Sequence, residues 1–290
     1  MRRVAVYVGR GDQLASHYFL SFLGARWRAA GVELIVLDDP ARCVDADAAV
    51  VHVNATHRPA GYDQVRQHYP RVINGRVGDI SKTRISAQLV TRASDYGGPV
   101  IVKTNSNCFG IPDRKNRRRT ERLKGLASRI ADRLLPLRRS IRLGQTYPIY
   151  QTLQQVPRAV WWDPHFVVEK FLPERSDELY CLRTWMFFGP RETVSLGRSR
   201  EPVVKRRNTI QREFISEVPE PIREARRRLG FDYGKFDFVL HDGQPILLDA
   251  NSTPTCSPEP TPRLDAMADE LARGLLEVIA APSDLGTPTA

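Results

Sequence analysis

No window of this sequence holds the roughly 18 or more uncharged apolar residues of a membrane span, so no membrane role is expected. The first residues, MRRVAVYVGRG, offer only five apolar positions before Gly9-Arg10-Gly11. That is too short for a secretory signal and reads instead as a first strand. Cysteine is sparse. Cys43, Cys108, Cys181 and Cys256 lie far apart and lack metal-ligand spacing, which argues against a disulfide framework and suits free thiols in a reducing cytoplasm. No GxxxxGK[ST] occurs, so a Walker-type phosphate loop is excluded. Gly9-x-Gly11 lacks the third glycine and the well-spaced acid of a dinucleotide fingerprint.

What is present is a soluble globular composition, 41% apolar and 27% charged, in 290 residues, enough for a large core in two or three lobes. The net charge of +11 is uneven: residues 113–142 hold twelve Lys or Arg against three Asp or Glu. An anionic partner is therefore expected only at that segment. It holds no interleaved aromatics to stack on bases, and a solvated face on an insertion is the plain alternative. Within it, Leu126, Ile130, Leu134 and Leu135 recur at helical spacing.

Lys235–Pro254, KFDFVLHDGQPILLDANSTP, reads as two strands around an Asp242-Gly243 turn. Asp249 and Asn251 are two apart and share a face in extended chain, with Asp237 placed to oppose them across the ladder. Two carboxylates and an amide oxygen suit Mg²⁺, which keeps waters and bridges phosphates; ordinary solvated acids near a hairpin end are the alternative. Upstream, short apolar runs at Val4–Val8, Val32–Leu37 and Ala48–Val53, with a helical pattern through Tyr18 and Phe22, predict a small open α/β lobe. Lys82 falls in the first turn of a helix expected to run through Ile85 and Leu89, where a cation opposes the helix dipole unless it meets an anion. Lys103 interrupts the apolar strand Pro99–Thr104 and needs a partner there. Arg183 is the lone guanidinium in Tyr180–Gly189 and is expected to face a cleft. Val203–Asn208 reads either as a loop supplying a cation to a reacting phosphate or as an exposed turn.

The order Lys82, Lys103, Glu169, Arg183, Asp237, Asp249, Asn251 resembles that of the ATP-grasp superfamily, which includes D-alanine–D-alanine ligase, glutathione synthetase and protein glutamate ligases. The likeness covers roughly residues 70–256. It implies an α/β fold with α+β lobes: an N-terminal open α/β domain over 1–76, an ATP-grasp N-lobe over 77–168 carrying the basic insertion, and a C-lobe over 169–280. Residues 281–290, rich in Pro, Thr and Ala, are expected to form a disordered tail. The resemblance further implies that Asp237, Asp249 and Asn251 hold one or two Mg²⁺ (or Mn²⁺) ions. The second acid is commonly Glu in that family and is Asp249 here, which leaves the ion count open. Lys82 and Lys103 would contact the phosphates of ATP. Glu169, Phe171 and Leu172 would form the adenine slot, and Glu174 would meet the ribose. Arg183 and Lys235 would hold the reacting carboxylate and its oxyanion. The implied activity is ATP-dependent joining of a carboxylate to an amine, amino acid or peptide, through an acyl phosphate. A kinase on the same scaffold is one alternative. The other is a non-enzymatic binder using 113–142 to hold RNA, an acidic peptide or a carrier protein.

Overall fold

The computed structural model describes residues 2–120, 136–144, 146–257 and 259–280. The valine-rich runs near the N-terminus form parallel strands β1 (Arg2–Tyr7), β2 (Val32–Leu37), β3 (Ala48–Val51) and β4 (Val72–Ile73), in the order β2-β1-β3-β4. A parallel sheet needs cover on both faces, and the alternation along β1 supplies it. Val4 and Val6 meet Leu23 and Trp27 of helix α1 (Phe19–Ala29). Ala5 and Tyr7 meet Tyr62, Tyr69 and Val65, the last at the start of the short helix α2 (Val65–His68).

Helix α3 (Lys82–Ile85) is a single turn and does not reach Leu89. Ser86 is already extended, and Leu89 bridges to Glu169 as a short added strand. Sheet pairing, which local periodicity does not report, wins over the expected helix. Strands β5 (Val100–Thr104), β6 (Ile149–Tyr150) and β7 (Phe166–Lys170) pair antiparallel in the order β6-β5-β7. Between them lie α4 (Ile111–Thr120), α5 (Pro136–Gly144) and α6 (Arg158–Trp162). The helical pattern at Leu126–Leu135 and the tail at 281–290 lie outside the described residues.

The third sheet is antiparallel: β8 (Glu174–Ser176), β9 (Leu179–Phe188), β10 (Arg191–Ser199), β11 (Gln211–Ile215), β12 (Tyr233–His241) and β13 (Gln244–Asn251), ordered β11-β10-β9-β12-β13 with β8 on β9. Asp242 and Gly243, at φ 49° and 77°, make the two-residue turn between β12 and β13. One face of this sheet buries Trp185, Phe187, Phe236 and Phe238 under helix α7 (Glu220–Leu229). Each such aromatic stabilises the fold by roughly 1.5–3 kcal/mol through burial. On the other face, Met186 and Phe188 pack with Leu271 and Leu275 of the long helix α8 (Pro262–Ala280), in the same core as β1 and α1. The Trp27 indole N–H donates to the Ala272 carbonyl at 2.8 Å, and Arg26 pairs with Asp265 and Asp269. Gly274 lets α8 touch the sheet: a Cβ there would lie 2.0 Å from the Phe188 carbonyl oxygen. No helix among the described residues is long and apolar enough to cross a membrane.

Candidate active site

Where the open part of the third sheet faces β5 and the loop after it, a cleft of about 350 Å³ is lined by Lys82, Lys103, Phe171, Leu172, Lys235, Asp237, Asp249 and Asn251, among others. Register explains the acidic side. Asp237 pairs directly with Asp249, and Lys235 with Asn251, so all four project from one face. A β-bulge between Asp237 and Phe238 shifts the ladder just beyond them.

Every acid in the cleft holds a cation. The Lys82 ammonium donates to Asp249, and Lys235 donates to Asp237 at 2.7 Å. The other Asp237 oxygen accepts from Thr184 at 2.9 Å. Burial by itself would raise the Asp249 carboxyl, but Lys82 and Lys235 hold it below the ordinary value. Burial works against the Lys235 ammonium as well, and Asp237 and Asp249 overcome it, so its pKa is raised. Asn251 Oδ1 accepts from the Thr253 backbone at 2.9 Å, which fixes the amide. Among the described residues no three of His, Cys, Asp and Glu gather into a metal cage. Two carboxylates and an amide beside ammonium groups fit a Mg²⁺ that takes its remaining oxygens from water and phosphate.

Lys103 and Glu169 sit on neighbouring strands and join at 2.7 Å, with Glu169 2% exposed. Glu169 Oε1 is buried without a hydrogen-bond partner. The carboxylate therefore lies behind Lys103 and outside the lining of the cleft, whereas Phe171 and Leu172 do line it. Glu174 and Arg183 depart from expectation. Arg183 pairs with Phe238 across the ladder, on the face that carries Trp185 and Phe236, and its guanidinium grips both oxygens of Glu174 at 2.8–3.0 Å. Glu174 also accepts from the Leu240 backbone at 2.7 Å. Neither side chain lines the cleft, so Arg183 is not placed to hold a substrate there, nor Glu174 a ribose.

Three groups in or beside the cleft were not singled out as site residues from the sequence: Phe109 and Lys205 line it, and Arg212 interacts electrostatically with Asp237. Lys205 reaches in from the loop before β11, its ammonium 4.8 Å from the Phe109 ring centre and 5.8 Å from that of Tyr147. Burial and nearby Arg207 lower its pKa. Phe109 follows Cys108, and both hold positive φ, bending the loop after β5 toward the cleft. Arg212 lies opposite Gly197, which pairs in turn with the cleft-lining Leu182. A Cβ on Gly197 would come within 3.2 Å of the Arg212 guanidinium, so the glycine makes its room. Arg212 reaches Ser195 Oγ at 3.3 Å and has no carboxylate partner among the described residues.

No family model matches the chain, and no curated protein matches it. Solved structures do. D-alanine–D-alanine ligase from Bacillus anthracis superposes with a TM-score of 0.51 at 14% identity, over 97% of this chain and 99% of that one. The ATP-grasp ligase PsnB, complexed with a minimal precursor, gives 0.52 at 11% identity over 97% and 99%. A RimK domain ATP-grasp protein from Sphaerobacter thermophilus gives 0.50 at 12% over 96% and 100%. Three sheets in this order, the cleft between the second and third, and these superpositions along nearly the whole chain agree: the protein has the ATP-grasp fold.

Proposed function

We propose that the chain is an ATP-dependent carboxylate–amine ligase. The observation that carries this reading is the convergence of Lys82 and Lys103 with Asp237, Asp249 and Asn251 around one cleft. The similar folds are those of ligases, and one of them, PsnB, is described with a precursor bound, which supports an amino acid or peptide as a substrate. Phe171 and Leu172 offer an apolar slot for a base, and the lysines offer charge for phosphates. Asp237, Asp249 and Asn251 would hold Mg²⁺, which supplies charge neutralisation to the phosphates.

In the reaction, a carboxylate oxygen takes the γ-phosphoryl group and ADP leaves. The amine nitrogen then attacks the acyl carbon, phosphate departs, and the amine loses a proton. Lys235, beside Asp237 on the cleft face, would stabilise the oxyanion. Lys205 lines the cleft and Arg212 interacts electrostatically with Asp237, so these two cations would take the role first expected of Arg183, binding substrate carboxylate or the transferred group.

The test is an ADP-release screen over amino acids and short peptides, with the product weighed by mass spectrometry. An amide-bonded product is expected, and Asn251→Ala should abolish ADP release while leaving the thermal midpoint in place. Asp249→Ala should also abolish it, with some loss of stability because Lys82 is left buried alone. A stable phosphorylated product would make the protein a kinase. Absence of ADP release with every acid and amine tried would overturn the enzymatic reading.

A further inference from the structure

A second hollow exceeds the cleft in volume. A groove of about 870 Å³ lies on the outer side of β7, floored by Val90, Val160, Val167 and Val168 and walled by Trp161 and Trp162. Trp162 is 80% exposed and Leu89, which also lines the groove, 39%. Single exposed aliphatics are ordinary on a soluble surface, but a tryptophan standing free beside a continuous apolar floor marks a contact site.

The groove has a sign as well as a shape. Arg92 lines it, and Arg158 lies four residues before Trp162 on α6, which places the two on one side of that helix. Neither arginine has an ion-pair partner among the described residues. The one acid in the wall, Asp163, is already neutralised: Arg138 grips both of its oxygens, one at 2.7 Å. Burial alone would raise the Asp163 carboxyl, and Arg138 with the His165 backbone N–H brings it down instead, so it stays charged and satisfied within its pair.

The backbone sets the direction of an occupant. Val90 donates to Val168 and Lys170 donates to Gln88, both at 2.9 Å, so this segment lengthens the β6-β5-β7 sheet by one short strand. Beyond Val90 the chain turns away at Thr91–Ser94, and Phe166 and Val167 come to line the groove. Thr83 lines the groove while its neighbour Lys82 lines the cleft. The groove and the cleft thus adjoin at Lys82–Thr83.

We propose that this groove docks an extended acidic peptide segment, seating a bulky apolar side chain against Trp162 and carboxylates on Arg92 and Arg158. An apolar anchor flanked by acids matches both the floor and the unpaired guanidiniums; a polar phosphate backbone would leave the valine floor uncovered. The segment belongs to a partner protein, and its docking does not depend on what the cleft does chemically.

The test pans a random dodecapeptide display library against the full chain, with Trp162→Ala protein as counter-selection. Peptides that survive should carry Phe, Leu or Trp flanked by Asp or Glu. A fluorescein-labelled consensus peptide should then bind the wild-type chain with an affinity that Trp162→Ala reduces on the order of thirtyfold, as for an interface hot spot. Arg92→Glu/Arg158→Glu should reduce it about as much, and a Lys-for-Glu version of the peptide should not bind. Because these side chains are exposed, the variants should keep the wild-type thermal midpoint and ADP release. Recovery of no Trp162-dependent peptide, of basic peptides, or of tighter binding by an oligouridine control would overturn the proposal. So would a concentration-dependent dimer that Trp162→Ala dissolves, since a second copy would then be the occupant.

Discussion

His52 follows β3, where its ring lies edge-on to Tyr18 at 4.7 Å between centroids, 2% exposed. Neither ring nitrogen has a hydrogen-bond partner. Burial pushes its pKa from 6.5 down to about 3, only partly offset by Asp12. The fold therefore holds the imidazole neutral, whereas the unfolded chain protonates it at an ordinary value. Its contribution to stability is complete above the unfolded pKa and is lost as pH falls toward the folded one. Linkage between those two values gives a loss of about 2 kcal/mol between about pH 7 and about pH 5 from this side chain alone. Buried carboxylates also weaken the fold in acid, so the quantity to measure is a difference. Urea midpoints of the wild type and His52→Phe, taken across that range, should diverge by about 2 kcal/mol, with the variant gaining relative to the wild type as pH falls. Parallel pH profiles would refute the reasoning, because they would mean that His52 is hydrated or partnered in solution.

Two further outcomes follow from packing. Lys103→Met should destabilise the protein by about 3 kcal/mol, since it strands the Glu169 carboxylate in the interior, and Lys103→Met/Glu169→Gln should recover most of that loss in urea denaturation. Equal stability of the single and double variants would show that the pair is not coupled. Gly274→Ala should cost about 3 kcal/mol, because the added methyl meets the Phe188 backbone and not a side chain that can swing aside; a thermal midpoint within a degree of the wild type would contradict this.

Much of the architecture is legible from local pattern. Asp242-Gly243 demands positive φ at both turn positions and so announces the β12–β13 hairpin. Once the hairpin is known, the period of two brings Asp249 and Asn251 onto one face. The same period fails at β9, where Leu179–Phe188 has apolar residues on both faces because α7 covers one and α8 part of the other. With both faces buried, nothing in Leu-Tyr-Cys-Leu-Arg-Thr-Trp says toward which side Arg183 projects, and it projects away from the cleft, onto Glu174. Lys205 is left ambiguous by the Val203–Asn208 run, between a cation for a phosphate and an exposed turn, for another reason. Its ring partners, Phe109 and Tyr147, come from remote segments, and its immediate neighbours Arg206 and Arg207 make the run look like a solvated turn. Leu89 fails as a helical position because its partner is a distant strand edge.

The long helix α8 carries a consequence for how the protein is made. Trp27 and Arg26 are satisfied by residues about 240 positions later, Arg26 and Asp269 being 243 apart. As the nascent chain leaves the ribosome, α1 emerges with the side that α8 covers bare, and it stays so until about 240 further residues have been translated. That interval is when the polypeptide is most exposed to aggregation, and a holding chaperone would find its target in the α1 surface that α8 later covers.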